Sequence, residues 1–140
     1  MIQRMVPALY VEDLARSSAF YCELLGLRPG FEADWIVQLS DPENPAVELV
    51  LQPVTHDLVP EPVRGSPRGA GLTFVVPDCD VLYEKARAMG LQILQEPKDE
   101  DYGQRRFLTM DPDGMLIDVS SNCEPSPEFM AKYFDSQESG

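Results

Sequence analysis

Side chains that could act as nucleophiles or general bases are few in this chain. It contains one histidine, His56, in a segment rich in proline, and no base lies close in sequence to the Ser17–Ser18 pair. Three cysteines lie far apart in the sequence: Cys22, Cys79 and Cys123. A serine or cysteine nucleophile needs an adjacent base or a lowered pKa, so the sequence predicts no nucleophilic catalyst. The odd number and wide spacing of the cysteines are typical of reduced thiols in a cytoplasm.

Composition and charge limit the partners of the chain. Its 140 residues are enough for one domain with a sizeable core. The net charge of −13 argues against nucleic acid and anionic membranes as partners, because both repel a negative surface, and mildly favours a neutral or cationic ligand. No apolar run approaches the roughly 18 residues that span a bilayer. We therefore expect a cytoplasmic protein that binds neither nucleic acid nor membrane.

The elements that must position any binding site begin with a strand–turn–strand pattern. Residues 105–110 and 115–119 are apolar enough to form half-buried strands, and Asp111-Pro112-Asp113-Gly114 joins them. Pro112 fixes φ at the second position of a turn, and Gly114 accepts the backbone that the fourth position needs. This stretch therefore predicts a β-hairpin.

A second copy of this hairpin lies earlier in the chain. Shifting the sequence by about 70 positions aligns Asp41 with Asp111 and Glu48 with Asp118 without a gap. Self-similarity at a fixed period indicates a duplicated structural module.

Each half of the chain predicts the element order β-α-β-β-β. In the first half, Asp13 is a suitable N-cap and Gly26 a suitable stop for a helix. The predicted elements of this half are a strand at 6–11, a helix at 14–25, an irregular segment or short strand at 27–31, and strands at 35–39 and 46–52. Those of the second half are a strand at 71–76, a helix from Asp78 or Asp80 to Met89, a strand at 91–95, a charged loop at 96–101 and the hairpin.

The fold class predicted from this pattern is α+β, with two tandem βαβββ modules. The boundaries are one domain at 1–122, modules at about 5–52 and 70–121, a connector at 53–69 and a C-terminal extension at 123–140. Prolines and glycines mark the connector, which serves as a link between the halves or as a lid over a site. The extension has a short apolar helix at 128–134, which would dock on its own domain or on a partner chain, and a polar end that we expect to be frayed.

Several motifs resemble those of the vicinal oxygen chelate superfamily, which includes glyoxalase I, extradiol dioxygenases, and the fosfomycin and bleomycin resistance proteins. They are Val-x-Asp before each helix region, Phe-Tyr and Leu-Gly-Leu in and after the first helix, and Tyr-Gly-x-Arg-x-Phe-x-x-x-Asp-Pro-Asp-Gly. The resemblance covers about residues 5–121. It implies curved mixed sheets around a cavity, and usually a homodimer.

The resemblance also implies four metal-ligand positions, which here are Val6, Glu48, Leu72 and Asp118. Two of them keep a carboxylate and two are hydrocarbon. A catalytic transition metal usually has at least three protein ligands, commonly including imidazole. We therefore expect no metal and no other cofactor.

Strand alternation suggests which side chains line the cavity. If positions 48, 72 and 118 face it, Tyr10 and Phe74 share that face. Trp35 could stack on a planar ligand, Tyr102 lies at the mouth of the last hairpin, and Arg105 or Arg106 could pair with the carboxylates. The predicted ligand-binding residues are Tyr10, Trp35, Glu48, Phe74, Tyr102, Arg105 and Asp118. Each of the aromatic residues could instead be a core residue, and each carboxylate could belong to a structural ion pair.

The function that the resemblance implies is that of a metal-free, bleomycin-resistance-like protein that sequesters a small organic molecule without turnover. An alternative is a metal-dependent lyase or dioxygenase of the same superfamily, with Glu48 and Asp118 as atypical ligands. A third is an interaction module whose cavity is filled by its own side chains.

Overall fold

The computed structural model describes residues 1–135, which form two compact units. Unit 1 comprises Met1–Arg68 together with the turn Asp111–Gly114, and unit 2 comprises Gly69–Met110 and the chain from Met115 onward. The two predicted modules fall in different units, except that the turn Asp111–Gly114 of the second module belongs to unit 1. No helix within residues 1–135 has the length and apolar character needed to cross a lipid bilayer.

Unit 1 contains one helix and a four-stranded mixed sheet. Its elements are β1 (Ala8–Val11), α1 (Leu14–Leu25), β2 (Arg28–Ala33), β3 (Ile36–Asp41) and β4 (Asn44–Pro53). The strand order is β1-β4-β3-β2, with β1 parallel to β4 and the other pairs antiparallel. Leu39, Leu49 and Leu51 on one face of this sheet are fully or almost fully buried, as are Tyr21 and Leu24 of the helix. The core of unit 1 therefore lies on one face of the sheet, and the side chains of the other face are not part of this core.

Unit 2 repeats this arrangement. Its elements are β5 (Gly71–Val75), α2 (Cys79–Ala88), β6 (Gln95–Glu100), β7 (Gln104–Met110) and β8 (Leu116–Asn122). The strand order is β5-β8-β7-β6, with β5 parallel to β8. Phe107, Ile117 and Val119 form the buried face. The prediction of an α+β fold with two βαβββ modules is confirmed.

The helix ends follow the predicted capping residues. The Asp13 carboxylate accepts a hydrogen bond from the backbone N–H of Arg16 at 3.0 Å, and Gly26 ends α1 with φ of 73°. Asp78, rather than Asp80, caps α2, because its carboxylate accepts from the N–H of Asp80 at 3.0 Å. The aspartates fix where the chain leaves a strand and enters a helix, and Gly26 fixes where it leaves α1.

One predicted element is wrong. Residues 91–94 form no strand, and the strand β6 runs through the segment 95–100 that the charges marked as a loop. β6 is an edge strand, with a register shift between Gln95 and Lys98 where it pairs with β7. Charged residues and Pro97 are tolerated at an exposed edge, where they discourage pairing with other chains.

The remaining segments are short. The connector contains one 3-10 turn, Glu61–Val63, and the extension contains α3 (Pro127–Met130) followed by a single π-helical turn, Ala131–Asp135. The helix expected at 128–134 is therefore split into two forms. The expectation of a frayed end concerns residues that lie outside the described part of the chain.

Candidate functional site

The face of the unit 1 sheet that lies opposite its core carries mixed polar and apolar side chains. On the parallel pair, Tyr10 lies beside Gln52, and on the antiparallel pair Ser40 lies beside Glu48. Side chains alternate along a strand, so these residues and the residues two positions away share one face. We call this set the polar face of unit 1; it comprises Tyr10, Gln38, Ser40, Glu48, Val50 and Gln52. Each of these residues is half-buried.

Glu48 is the charged centre of the polar face. Its Oε2 accepts a hydrogen bond from Arg4 Nε at 2.5 Å, and its Oε1 lies 3.4 Å from the Gln38 amide nitrogen. The Glu48 side chain is 14% exposed, whereas that of Arg4 is 56% exposed. Arg4 precedes β1 in a segment without regular structure. The carboxylate is thus held in the sheet and neutralised by a residue from outside it.

Asp118 is the corresponding carboxylate of unit 2, and it is enclosed by donors. Thr73 Oγ1 donates to it at 3.1 Å, Ser120 Oγ at 2.7 Å and Arg106 Nη1 at 3.3 Å. Arg106 also donates to Glu100 at 3.3 Å. These contacts form an ion-pair network on strands β5, β7 and β8.

The charge of Arg106 is retained in this network. Desolvation lowers its pKa, but Tyr102, Asp118 and Glu100 together raise it further, so that the pKa of Arg106 lies above its ordinary value. Arg106, together with Lys98, which also pairs with Glu100, offsets the charges of Asp118 and Glu100. The network therefore has the character of a structural ion pair.

Two predicted site residues lie on the wrong face. Phe74 pairs with Val119, whereas Asp118 pairs with Thr73, so the Phe74 side chain points away from Asp118. The predicted position of β5 relative to β8 is one residue off, and such a slip moves every side chain to the other face. For the same reason Leu72, which pairs with Ile117, does not lie on the face of Asp118. Arg105 precedes Arg106 on β7 and therefore also points away from Asp118.

Arg105 has partners of its own. Its Nε donates to Asp80 at 3.2 Å and its Nη1 to Asp99 at 3.1 Å. The hydrogen bonds to Asp80 and then to Asp99 raise the pKa of Arg105. Arg105 therefore joins β7 to α2 and β6, and the arginine that pairs with a site carboxylate is Arg106.

The two remaining aromatic candidates lie in turns. Trp35 lies between β2 and β3, and its ring stacks on that of His56 with centroids 5.6 Å apart and planes 26° apart. Tyr102 lies in the turn between β6 and β7 and helps to line a depression of about 220 Å³ formed with residues 98–101. The structure therefore brings Tyr10 and Glu48 together on one face, but places neither Trp35 nor Tyr102 there.

Comparison with known proteins identifies the family. A model of the Glyoxalase/Bleomycin resistance protein/Dioxygenase superfamily matches residues 3–119. This chain belongs to that superfamily. A search of curated proteins gave no significant match.

Solved structures of superfamily members share its fold. A glyoxalase-related enzyme from Fulvimarina pelagi is 27% identical, covers 86% of this chain and 89% of its own length, and superposes with a TM-score of 0.71. A glyoxalase/bleomycin resistance protein/dioxygenase from Nocardioides is 21% identical over 90% and 89% of the two chains, with a TM-score of 0.68. Lactoylglutathione lyase from Agrobacterium tumefaciens is 21% identical over 84% and 91%, with a TM-score of 0.65.

The residues of this superfamily member do not fit the metal of the catalytic branch. Within residues 1–135 no three or more His, Cys, Asp or Glu side chains are grouped so that they could hold a metal ion. Val6 offers no donor atom, and the side chain beside Asp118 is the neutral hydroxyl of Thr73. Glu48 and Asp118 each bind an arginine, and a cation at either carboxylate would have to compete with that partner.

Sequence reasoning missed several residues of the site in this superfamily member. Arg4 lies outside any predicted element, and nothing in the sequence links it to Glu48. Gln38 and Ser40 alternate with the apolar residues Val37 and Leu39, a pattern typical of a strand with one buried face. That alternation indicates that both polar residues lie on the face opposite the core, and the pairing of β3 with β4 puts Glu48 on the same face.

Proposed function

We propose that this protein binds a small organic molecule on the polar face of unit 1 and sequesters it without metal-dependent turnover. The observation that carries this proposal is that Tyr10, Val50 and Glu48 share one half-buried sheet face. Small-molecule sites combine aromatic and aliphatic contacts with a few placed polar groups, and this face supplies both kinds of contact.

Each part of the face offers a different contact. The Tyr10 ring offers stacking area together with a hydroxyl, and Val50 supplies an apolar contact. Gln38 and Gln52 carry both donors and acceptors, so they suit a ligand with amide or hydroxyl groups. Glu48 adds a single negative charge. Such a face suits a drug-sized molecule of mixed polarity that is neutral or positively charged.

Unit 2 is less suited to this role. Its corresponding carboxylate, Asp118, is already satisfied by Thr73, Ser120 and Arg106. A ligand would have to break this network without replacing all of its hydrogen bonds. Removing the partners of a buried carboxylate is costly, which supports unit 1 as the binding unit.

A thermal-shift screen tests the proposal. Purified protein is heated with a library of neutral, cationic and anionic aromatic compounds, with and without EDTA. A ligand that binds the folded state raises the melting temperature by mass action, and we expect the shifts to persist in EDTA. Chromatography of the recovered ligand should show it unchanged. Shifts that disappear in EDTA, or conversion of the ligand, would contradict metal-free sequestration.

A substitution tests whether the ligand binds on the polar face of unit 1. Tyr10→Ala should weaken binding by about tenfold or more, as expected for loss of an aromatic anchor. Tyr133→Ala removes an exposed ring from the C-terminal extension and serves as the matched control. Equal affinity of the Tyr10→Ala variant and the wild-type protein would rule out the polar face as the site.

Turnover is the second candidate, favoured by the likeness to the Fulvimarina pelagi protein, which is described as a glyoxalase-related enzyme. It would make this chain a metal-dependent lyase or dioxygenase. Stoichiometric Zn²⁺, Fe²⁺ or Mn²⁺ in the purified protein would support this candidate over sequestration.

We also propose a compartment, an oligomeric state and partners for this protein. Its three cysteines are free thiols, which favours a reducing cytoplasm. We propose a homodimer with a small-molecule ligand and neither nucleic acid nor membrane as partner. Sedimentation equilibrium measures the oligomeric state, and a monomer at micromolar concentration would contradict the dimer.

A further inference from the structure

The two site carboxylates are held in different ways. Asp118 binds an arginine that belongs to a strand, has a side chain only 25% exposed and also binds Glu100. Glu48 binds an arginine of the N-terminal segment, whose side chain is 56% exposed. The ion pair of unit 2 is therefore built into the sheet, whereas that of unit 1 joins the sheet to a residue outside it.

Arg4 has little to hold it apart from Glu48. The neighbouring side chains Met1, Ile2 and Met5 are more than four-fifths exposed. When the pair separates, Arg4 becomes well solvated, whereas Glu48, only 14% exposed, still needs a cationic partner. The guanidinium can thus leave when a cationic group of a ligand takes its place, while Glu48 stays on its strand.

We propose that Glu48 anchors an ammonium, amidinium or guanidinium group of the ligand, and that Arg4 is an internal counter-ion which the ligand displaces. This inference rests on the proposed function, because it concerns the same face. An N–H donor of the ligand takes over the contact that Arg4 Nε makes with Glu48 Oε2. The net charge of −13 attracts a cationic ligand before contact.

The register also sets the length of such a ligand. Tyr10 pairs with Gln52, which lies four positions after Glu48 on β4. At about 3.3 Å per residue, four residues span about 13 Å. A ligand that stacks on Tyr10 and reaches Glu48 therefore has an aromatic part and a cationic group at opposite ends of an extended molecule.

A fluorescent aromatic diamidine, 4′,6-diamidino-2-phenylindole, has this shape and charge and is a suitable probe. Its uncharged dicarboxamide analogue is the matched neutral compound. Titrations are compared for the wild-type protein and the variants Glu48→Gln, Arg4→Gln and Arg16→Gln. Arg16 lies on α1 and is exposed, so Arg16→Gln makes the same change in net charge away from the face. Circular dichroism confirms that each variant is folded.

The expected results follow if the cationic ligand displaces Arg4 from Glu48. Glu48→Gln should weaken diamidine binding by about tenfold or more, because a charge-assisted contact is lost. Arg4→Gln should tighten it by about two- to fivefold, because the ligand no longer has to displace the exposed guanidinium of Arg4. Arg16→Gln should leave the affinity within about twofold of wild type, because Arg16 lies on α1, on the core side of the sheet, and its charge is screened by salt. Neither Glu48→Gln nor Arg4→Gln should alter binding of the dicarboxamide.

The outcomes separate this inference from the proposed function. If both compounds bind in a Tyr10-dependent manner but Glu48→Gln has no effect, the face binds ligands and the anchoring role of Glu48 is wrong. If Arg4→Gln and Arg16→Gln tighten binding equally, the effect is one of net charge and the displacement of Arg4 is refuted. If neither compound binds, both proposals fail for ligands of this size.

Discussion

At the scale of single residues, a buried tyrosine fixes the Asp-Pro-Asp-Gly turn on α1 within unit 1. Tyr21 is fully buried, and its hydroxyl donates to Asp111 Oδ2 at 2.6 Å. Nearby, Ser17 Oγ donates to Asp113 Oδ2 at 3.1 Å. Burial, followed by the negative charge of Asp111, raises the pKa of Tyr21 far above its ordinary value. The phenol therefore keeps its proton in the folded protein.

Tyr21→Phe removes this donor without changing the ring. We expect the free energy of unfolding to fall by about 1.5–3 kcal/mol, as is typical for loss of a hydrogen bond to a charged group. Urea denaturation monitored by circular dichroism measures the change. Tyr133→Phe, at an exposed ring, should be neutral, and an unchanged Tyr21→Phe variant would show that the hydrogen bond adds nothing to stability.

The raised pKa of Tyr21 also gives a prediction at alkaline pH. The unfolded chain releases this proton near pH 10, its ordinary value, whereas the folded chain retains it. The unfolded state then binds fewer protons, so the stability of the wild-type protein falls as the pH rises above about 10. The Tyr21→Phe variant has no hydroxyl to ionise at this position, so it should not lose stability in this way. The stability difference between the two proteins should be about 1.4 kcal/mol smaller at pH 11 than at pH 9, as measured by urea denaturation. A difference that is constant with pH would contradict the assignment.

The two site carboxylates should differ in their effect on stability. Asp118→Asn weakens a largely buried network and should lower the free energy of unfolding by about 1–3 kcal/mol. Glu48→Gln breaks a contact whose partner is more than half exposed and should change it by less than about 1 kcal/mol. Thermal and urea unfolding of both variants and of the double variant test this contrast. We expect the double variant to fold, and a larger loss for Glu48→Gln than for Asp118→Asn would reverse the proposed roles.

At the scale of elements, a glycine in the left-handed region follows the helix of each module, directly after α1 and one residue later after α2. Gly26 and Gly90 each have φ of 73°, and a Cβ added at either would meet no atom within 4 Å. The cost of alanine there comes from the left-handed backbone alone and should be about 1 kcal/mol at each position. Since the sites are far apart in sequence and lie in different units, the two losses should add.

Urea denaturation of Gly26→Ala, Gly90→Ala and the double variant measures these losses. Gly30→Ala is the control, because the φ of Gly30 is not positive and its new Cβ would meet only the Gln38 carbonyl oxygen at 3.8 Å. That variant should stay within about 0.5 kcal/mol of wild type. Unequal costs at Gly26 and Gly90 would show that the two modules have lost their equivalence at this point.

The sequence predicted the elements whose ends carry local signals. Asp13 and Gly26 mark α1, and the Asp-Pro-Asp-Gly turn marks the last hairpin, in which Gly114 has φ of 92°. β6 carries no such signal, because its hydrogen bonds to β7 decide its structure and its charges are harmless at an edge. Strand identity there depends on pairing across the sheet, which local sequence does not encode.

The site was predicted less completely than the fold. Tyr10 and Glu48 were placed on one face because the first module has a single unbroken register from β1 to β4. Phe74 was assigned to the wrong face because the predicted register of β5 against β8 was one residue off. Arg4 was missed because its contact with Glu48 joins residues 44 positions apart, and a contact between distant residues leaves no periodic trace.

At the scale of the whole molecule, the excess of negative charge should oppose folding. The chain has 24 acidic and 11 basic side chains, giving the net charge of −13. Like charges repel one another more strongly in the compact state than in the expanded chain, and salt screens this repulsion over about 10 Å at 0.1 M. The ion pairs among Lys98, Glu100, Arg106 and Asp118 are short and partly buried, so they are screened less.

The melting temperature should therefore rise by a few degrees as NaCl increases from about 0.02 to 0.3 M at pH 7. Removing two exposed acidic charges with Glu84→Gln and Glu124→Gln changes the net charge from −13 to −11. This variant should melt higher at low salt and gain less from added NaCl, because it has less repulsion to screen. Glu84→Asp with Glu124→Asp keeps the charge and should retain the wild-type salt dependence. A melting temperature that falls with NaCl would show that attractive ion pairs outweigh the repulsion of the excess negative charge.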